Sequence, residues 1–312
     1  MTHVTQTSAA TPAAQSGPPP KVVPRRHLGR WISAVVVIAA LAWLVWTLAT
    51  TESLEWGQVG HYLFSHGVLV GVKNTIVMTV LCMVIGMVIG TLIAVMRLSP
   101  NPVLTGVAWL YQWFFRGTPT LVQLTFWFNL STIFPRLHLS LFGWQVFDVS
   151  TNQVMTSLVA ALLGLGLNFG AYYSEVVRAG ILSVDEGQSD AAAAYGLTPF
   201  GTLRHIVLPQ SMRVIIPPTG NELIGMLKFT SLASLVSYEE LMRSVSDIYT
   251  INYEVIPLLV VAALWYLFMT TILSTGQYFL EKRFARGTTR SQPPSLIATI
   301  RRGLRGRRGA TA

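Results

Sequence analysis

Few side chains in this sequence could do chemistry, and three of them share one apolar run. Asn221, Gly225 and Lys228 stand at i, i+4 and i+7, on one helical face within an arc of about 60°. An ammonium inside a membrane span is expensive unless it meets a cavity or a partner charge, so this face is a candidate pathway lining. The competing reading is a lysine that snorkels to a nearby interface. Asn168, Gly170, Thr230 and Ser231 complete the candidate pathway set. Glu222 lies about 120° from Lys228, so it faces Arg178, the polar segment over 183–210 or the pathway by another route. Glu175 and Arg178, three residues apart, are expected to form an ion pair on one helix.

Catalytic sets are missing. No G-x-S-x-G occurs and no expected span contains a histidine, which argues against an intramembrane serine protease. There is no G-x-x-x-x-G-K-[ST] loop to cradle a nucleotide. Cys82 is the single cysteine, and His61 and His66 have no third ligand, so no catalytic residue and no metal site is expected.

The longest polar interruption is Asp190 to Pro209, inside a segment running over 183–210. Ala191 to Ala194 favour helix, and Gly196 follows where a helix can end in a left-handed residue. Thr198 offers a cap and Pro199 a first helical position; Pro209 is expected to stop this second helix. Ser183 and Glu186 have the spacing of a capping box for the first helix. Tyr195, Leu197, Phe200, Leu203 and Ile206 are interleaved with Asp190, Arg204 and His205. Such a segment either lies flat on lipid headgroups or docks into a groove on a soluble partner.

Of the 312 residues, 52% are hydrophobic and 11% charged, against about 25% charged in soluble domains. The composition is that of an all-α integral membrane protein. Apolar runs predict about six transmembrane helices, at 31–50, 68–96, 118–133, 153–178, 214–236 and 255–279. Gly86 and Gly90, and again Gly166, Gly170 and Ser174, recur every four residues and mark faces for close helix packing. The tails, 1–30 and 286–312, are basic, and the composition of the first predicts disorder. Eighteen of the 22 Lys and Arg flank one side of the spans. That asymmetry predicts a multi-pass protein of the cell (inner) membrane with both termini, the 97–117 connection and the 183–210 loop in the cytoplasm.

Three blocks carry a family resemblance. Phe115-Arg116-Gly117-Thr118-Pro119 with Leu121-Val122-Gln123-Leu124 is the first. Gly170-Ala171-Tyr172, Glu175 and the run from Gly187 to Gln210 form the second, and Pro217-Pro218, Asn221-Glu222, Leu227-Lys228 and Thr230-Ser231-Leu232 the third. Together they resemble permease subunits of ABC-type amino-acid importers of the polar (histidine, glutamine and glutamate) type, with the polar segment corresponding to that family's EAA loop. Asp190 stands where the family usually has Glu, and Phe169 and Phe229 replace a small and an acidic residue.

The resemblance implies a five-helix permease domain over 66–285, preceded by an extra helix at 31–50. It implies import of polar amino acids, with Asp190, Ala191, Ala192, Tyr195, Gly196, Phe200, Leu203, Ile206, Leu208 and Pro209 coupling the chain to a separate cytoplasmic ABC ATPase dimer. A second permease subunit, identical or related, and an extracytoplasmic amino-acid-binding protein would complete the system. No cofactor is expected in this chain, since ATP and Mg would bind the ATPase; nor is nucleic acid a partner. The alternative is a non-transporting scaffold or receptor that docks a cytoplasmic partner.

Overall fold

A computed structural model describes residues 28–141 and 144–284. The expected basic tail over 1–30 falls mostly in residues 1–27, outside the described residues, as does the tail over 286–312. The chain divides into two units, Met1–Glu52 and Ser53–Ala312. In the first, α1 (Leu28–Thr50) is one helix whose apolar side chains, including Trp31, Trp43 and Trp46, are exposed. The Thr50 and Thr51 hydroxyls donate to the carbonyls of Trp46 and Thr47, at 2.9 and 2.6 Å, and close its last turn.

The second unit runs α2 (Trp56–Leu63), α3 (His66–Arg97), α4 (Pro102–Gly117), α5 (Thr120–Phe128), α6 (Leu130–Ile133), β1 (Arg136–Leu141), β2 (Trp144–Ser150), α7 (Thr151–Val154), α8 (Ser157–Leu182), α9 (Glu186–Ala194), α10 (Pro199–Thr202), α11 (Leu208–Phe229), α12 (Leu241–Asn252) and α13 (Val255–Phe284). Among the described helices, α1, α3, α8 and α13 are long and apolar enough to cross a bilayer.

The third and fifth expected spans are built otherwise. Residues 97–117 are no open connection: α4 is capped by Asn101, whose side chain accepts from the Val103 N–H at 2.9 Å, and it packs on α3 and α8. The break at Gly117–Pro119 separates it from the nine-residue α5, because Pro119 supplies no N–H to continue the ladder. Gln123 repairs the gap, its Nε2 donating to the carbonyls of Phe115 and Thr118, both at 3.0 Å. Outside α5, the chain forms an antiparallel hairpin, β1 with β2, where only a loop is expected; Arg136 and Asp148 pair across it at 2.8 Å. The fifth span is α11 followed by a 3-10 turn, Thr230–Val236. Pro217 and Pro218 sit inside α11, and Gln277 of α13 donates to the Pro217 carbonyl at 3.4 Å.

The core is the seam between α3 and α8. A Cβ added at Gly86 would lie 3.0 Å from the Gly166 carbonyl oxygen, and one at Gly90 would lie 2.7 Å from that of Gly170. The two small faces therefore meet each other, and the helices run in the same direction. Tyr111 of α4 donates to the Leu167 carbonyl at 2.7 Å, and Gln112 to the Ser174 hydroxyl at 2.8 Å. Among the described residues, the buried side-chain polar atoms of this seam all have partners, as an interior without water requires.

A second cluster, from Val68, Val72, Leu241, Val245, Leu258 and Val261, joins α3, α12 and α13. Residues 238–253, between the fifth and sixth expected spans, thus contain a packed helix. Its N-cap is the buried Glu240, whose carboxylate accepts from the N–H groups of Met242 and Arg243 and from the Tyr266 hydroxyl, at 2.8 to 2.9 Å. Three donors compensate the carboxylate for the water it has lost.

Candidate functional site

The segment over 183–210 folds as a helix, a tight turn and a second helix. Asp185, not Ser183, caps α9: its carboxylate accepts from the Gly187 N–H at 2.9 Å. Ser183 instead closes α8, donating to the Gly180 carbonyl at 2.6 Å. The capping box fails because α8 continues to Leu182 and occupies the residue that would have capped. Gly196 takes φ +77°, and two bonds seal the end of α9, from Gly196 N–H to the Ala193 carbonyl at 2.9 Å and from Leu197 N–H to that of Ala192 at 3.1 Å. This is the paired 5→2 and 6→1 pattern of a glycine-terminated helix. Thr198 then caps α10, accepting from the Gly201 N–H at 3.1 Å, with Pro199 at its first position.

Pro209 does not end the second helix. The turn before it widens into a π-type turn, Leu203–Val207, in which Leu208 N–H reaches back five residues to the Leu203 carbonyl. A wider turn accommodates both the missing N–H and the ring, so α10, the π turn and α11 form one continuous helical path.

Within the segment, Ala192 (2% exposed), Thr202 and Val207 face inward, with Ile206 half-buried. Tyr195 (87% exposed) and Phe200 (70%) face outward, and Leu203, Leu208, Asp190, Ala191 and Pro209 are also exposed. Large apolar side chains thus stand free on either side of the Gly196 turn. Large exposed apolar patches mark interaction surfaces more often than scattered single residues do.

The candidate pathway residues do not converge on one surface. Asn168 is buried and donates to the Phe115 carbonyl at 2.8 Å, fixing α8 to the end of α4. Gly170 lies in the α3–α8 seam, its position 3.0 Å from the Tyr111 hydroxyl once a Cβ is added. Thr230 is buried and donates to the Leu227 carbonyl at 2.7 Å, while Ser231 donates to that of Lys228 at 2.7 Å. Asn221 and Lys228 are exposed, with open space beside Gly225 between them. Lys228 has no ion-pair partner among the described residues.

One residue further round α11, a second face does line a cavity. Glu222, Met226 and Phe229, also spaced i, i+4 and i+7, close a space of about 300 Å³ with Thr120, Asn168 and Tyr172. Glu222 therefore faces this cavity rather than Arg178. Sequence spacing did not single out Tyr172 or Met226; the signal was the repeat of the same spacing one residue on. Arg178 pairs with Glu175 at 2.8 Å as expected. Glu175 also meets Arg116 at 3.7 Å, and the Arg116 guanidinium lies 5.4 Å from the Tyr172 ring centre.

The family described as "Binding-protein-dependent transport system inner membrane component" matches residues 86–286. The chain is 44% identical over 283 residues to the arginine transport system permease protein ArgU of Corynebacterium glutamicum, a match covering 90% of this chain and 88% of that protein. It is 36% identical over 217 residues to the L-cystine transport system permease protein TcyB of Bacillus subtilis, covering 69% of this chain and 86% of that one. Among solved structures, an amino acid ABC transporter with histidines matches at TM-score 0.58 and 32% identity, over 70% of this chain and 94% of its own. The chain belongs to the family of binding-protein-dependent transport system inner membrane components, as a helical permease subunit.

Proposed function

We propose that this permease subunit forms half of the pathway of an ATP-driven importer of polar amino acids, coupled to a separate cytoplasmic ATPase through residues 183–210. The observation that carries the reading is the turn at Gly196, flanked by the exposed rings of Tyr195 and Phe200. A groove on the ATPase would take these rings, as aromatic anchors are taken in other helix-in-groove contacts. The ArgU and TcyB matches support an amino-acid substrate, and the first makes arginine the substrate to try first. In this reading Glu222 attracts a cationic side chain and Lys228 a carboxylate.

The exposed polar face of α11 supports a second permease copy or a related chain as the other wall. Positive charge at the ends of the spans supports cytoplasmic termini. The organisation that follows is a basic tail over 1–30, an extra helix over 31–50, a permease domain over 66–285 and a second basic tail over 286–312. ATP and Mg bind the partner, and a binding protein delivers substrate from outside.

The test is reconstitution of the full complex in proteoliposomes with its binding protein. Gly196→Asp is expected to leave the permease in the membrane and abolish substrate-stimulated ATP hydrolysis and arginine uptake. Normal hydrolysis and uptake in that variant would defeat the coupling role. A complex that docks the ATPase and transports none of a panel of amino acids would favour the scaffold reading instead.

A further inference from the structure

We propose that the groove between the C-terminal end of α3 and the face of α4 binds the headgroup of an anionic phospholipid. The site rests on side chains that the transport reading leaves unused. A cavity of about 450 Å³ opens there, lined by Arg97, Trp109, Trp113, Arg116, Tyr172 and Glu175. Tyr172 lines both this cavity and the one lined by Glu222.

Charge comes first. Glu175 is shared by Arg116 at 3.7 Å and Arg178 at 2.8 Å. Arg97 has no carboxylate within ion-pair distance among the described residues. The lining holds two guanidinium groups and one carboxylate, and Arg178 pairs with that carboxylate from outside the lining, so the groove is cationic. Guanidinium suits a phosphate better than any other protein cation does.

Position comes second. Arg97 is the last residue of α3, whose 32 residues extend about 48 Å, well beyond a hydrocarbon core of about 30 Å. A guanidinium there stands at headgroup depth. Trp109 and Trp113 stack at 6.2 Å between ring centres beside it, and both are exposed. Paired indoles at this depth are interface residues.

The third argument decides between sources of phosphate. Free phosphate and a lipid headgroup offer the same oxygens. The α4 helix that lines the groove, however, also carries an exposed apolar row, Val103, Val107, Leu110 and Phe114. That surface would receive acyl chains and gives nothing to a free ion. Basic pockets between spans at the cytoplasmic side are where anionic headgroups bind.

The experiment uses the full-length chain in lipid nanodiscs and does not depend on transport. The protein is purified from mixed phosphatidylglycerol and phosphatidylcholine, and the lipid retained per chain is measured by mass spectrometry. Wild type is expected to retain phosphatidylglycerol selectively, and Arg97→Gln to lower that selectivity about fivefold, the effect of one basic residue at the surface. Arg97→Lys keeps the charge and is expected to retain most of the selectivity, which controls for misfolding. Trp109→Ala should lower retention with the net charge unchanged. Equal retention of the two lipids by wild type, or unchanged selectivity in Arg97→Gln, overturns the proposal. So does competition by inorganic phosphate as effective as that by added phosphatidylglycerol. None of these results bears on whether the 183–210 segment couples to an ATPase.

Discussion

The α3–α8 seam and the α9–α10 turn both depend on glycine and use it in opposite ways. At Gly90 the backbone is ordinary helix, and what matters is missing bulk: an added Cβ would sit 2.7 Å from a backbone oxygen. At Gly196 nothing lies within 4 Å, and what matters is the sign of φ. The seam is finished within this chain. The turn holds Tyr195 and Phe200 out from the chain, unburied. In the proposed reading, core stability and partner contact fall to different regions, and substitutions should separate them.

The largest effect is expected in the seam. Gly90→Leu drives a side chain into the Gly170 carbonyl, which cannot move aside, and should destabilise the protein by about 3 kcal/mol. Thermal unfolding in detergent and membrane yield measure it; a wild-type midpoint would break the claim that the seam is closed. Phe200→Ala comes next. It should weaken ATPase binding by about 2 kcal/mol, roughly thirtyfold, while leaving the permease's own unfolding midpoint unchanged. A drop in that midpoint would show the ring to be part of the core.

A smaller effect distinguishes the two faces of α11. Lys228→Met should lower uptake by roughly tenfold, equivalent to about 1.4 kcal/mol, with ATPase binding intact. Glu222→Gln, on the face that lines the cavity, should lower uptake of arginine more than that of glutamine. Equal loss for both substrates would leave Glu222 without a role in selectivity. The smallest effect is Gly196→Ala, about 1 kcal/mol, because an L side chain resists the left-handed region. It should show as faster amide exchange confined to α9 and α10.

How much of this was legible follows the range of each interaction. Gly196, Thr198 and Pro199 do what their types and order require, because a helix end is decided by neighbours within four residues. Ser183 and Pro209 obeyed the same kind of rule and were overruled. Continuation of α8 displaced the first, and a five-residue turn absorbed the second. The hairpin over 136–150 did have a trace: Arg136-Leu137-His138-Leu139-Ser140-Leu141 alternate polar and apolar with the period of a strand, and Gly143, a turn-forming type, follows in the sequence.

By itself the sequence determined the local devices: the Gly196 and Thr198 caps, the small faces on α3 and α8, the Glu175–Arg178 pair and the apolar lengths that need a bilayer. Tertiary structure alone decided which small face meets which, and that Arg116 reaches Glu175. It also decided that Glu222, Met226 and Phe229, not Asn221, Gly225 and Lys228, close the cavity. The reason is geometric. A period of 3.6 residues gives neighbouring residues the same i, i+4, i+7 spacing, so spacing finds a face. Only the elements packed against α11 choose between two faces one residue apart.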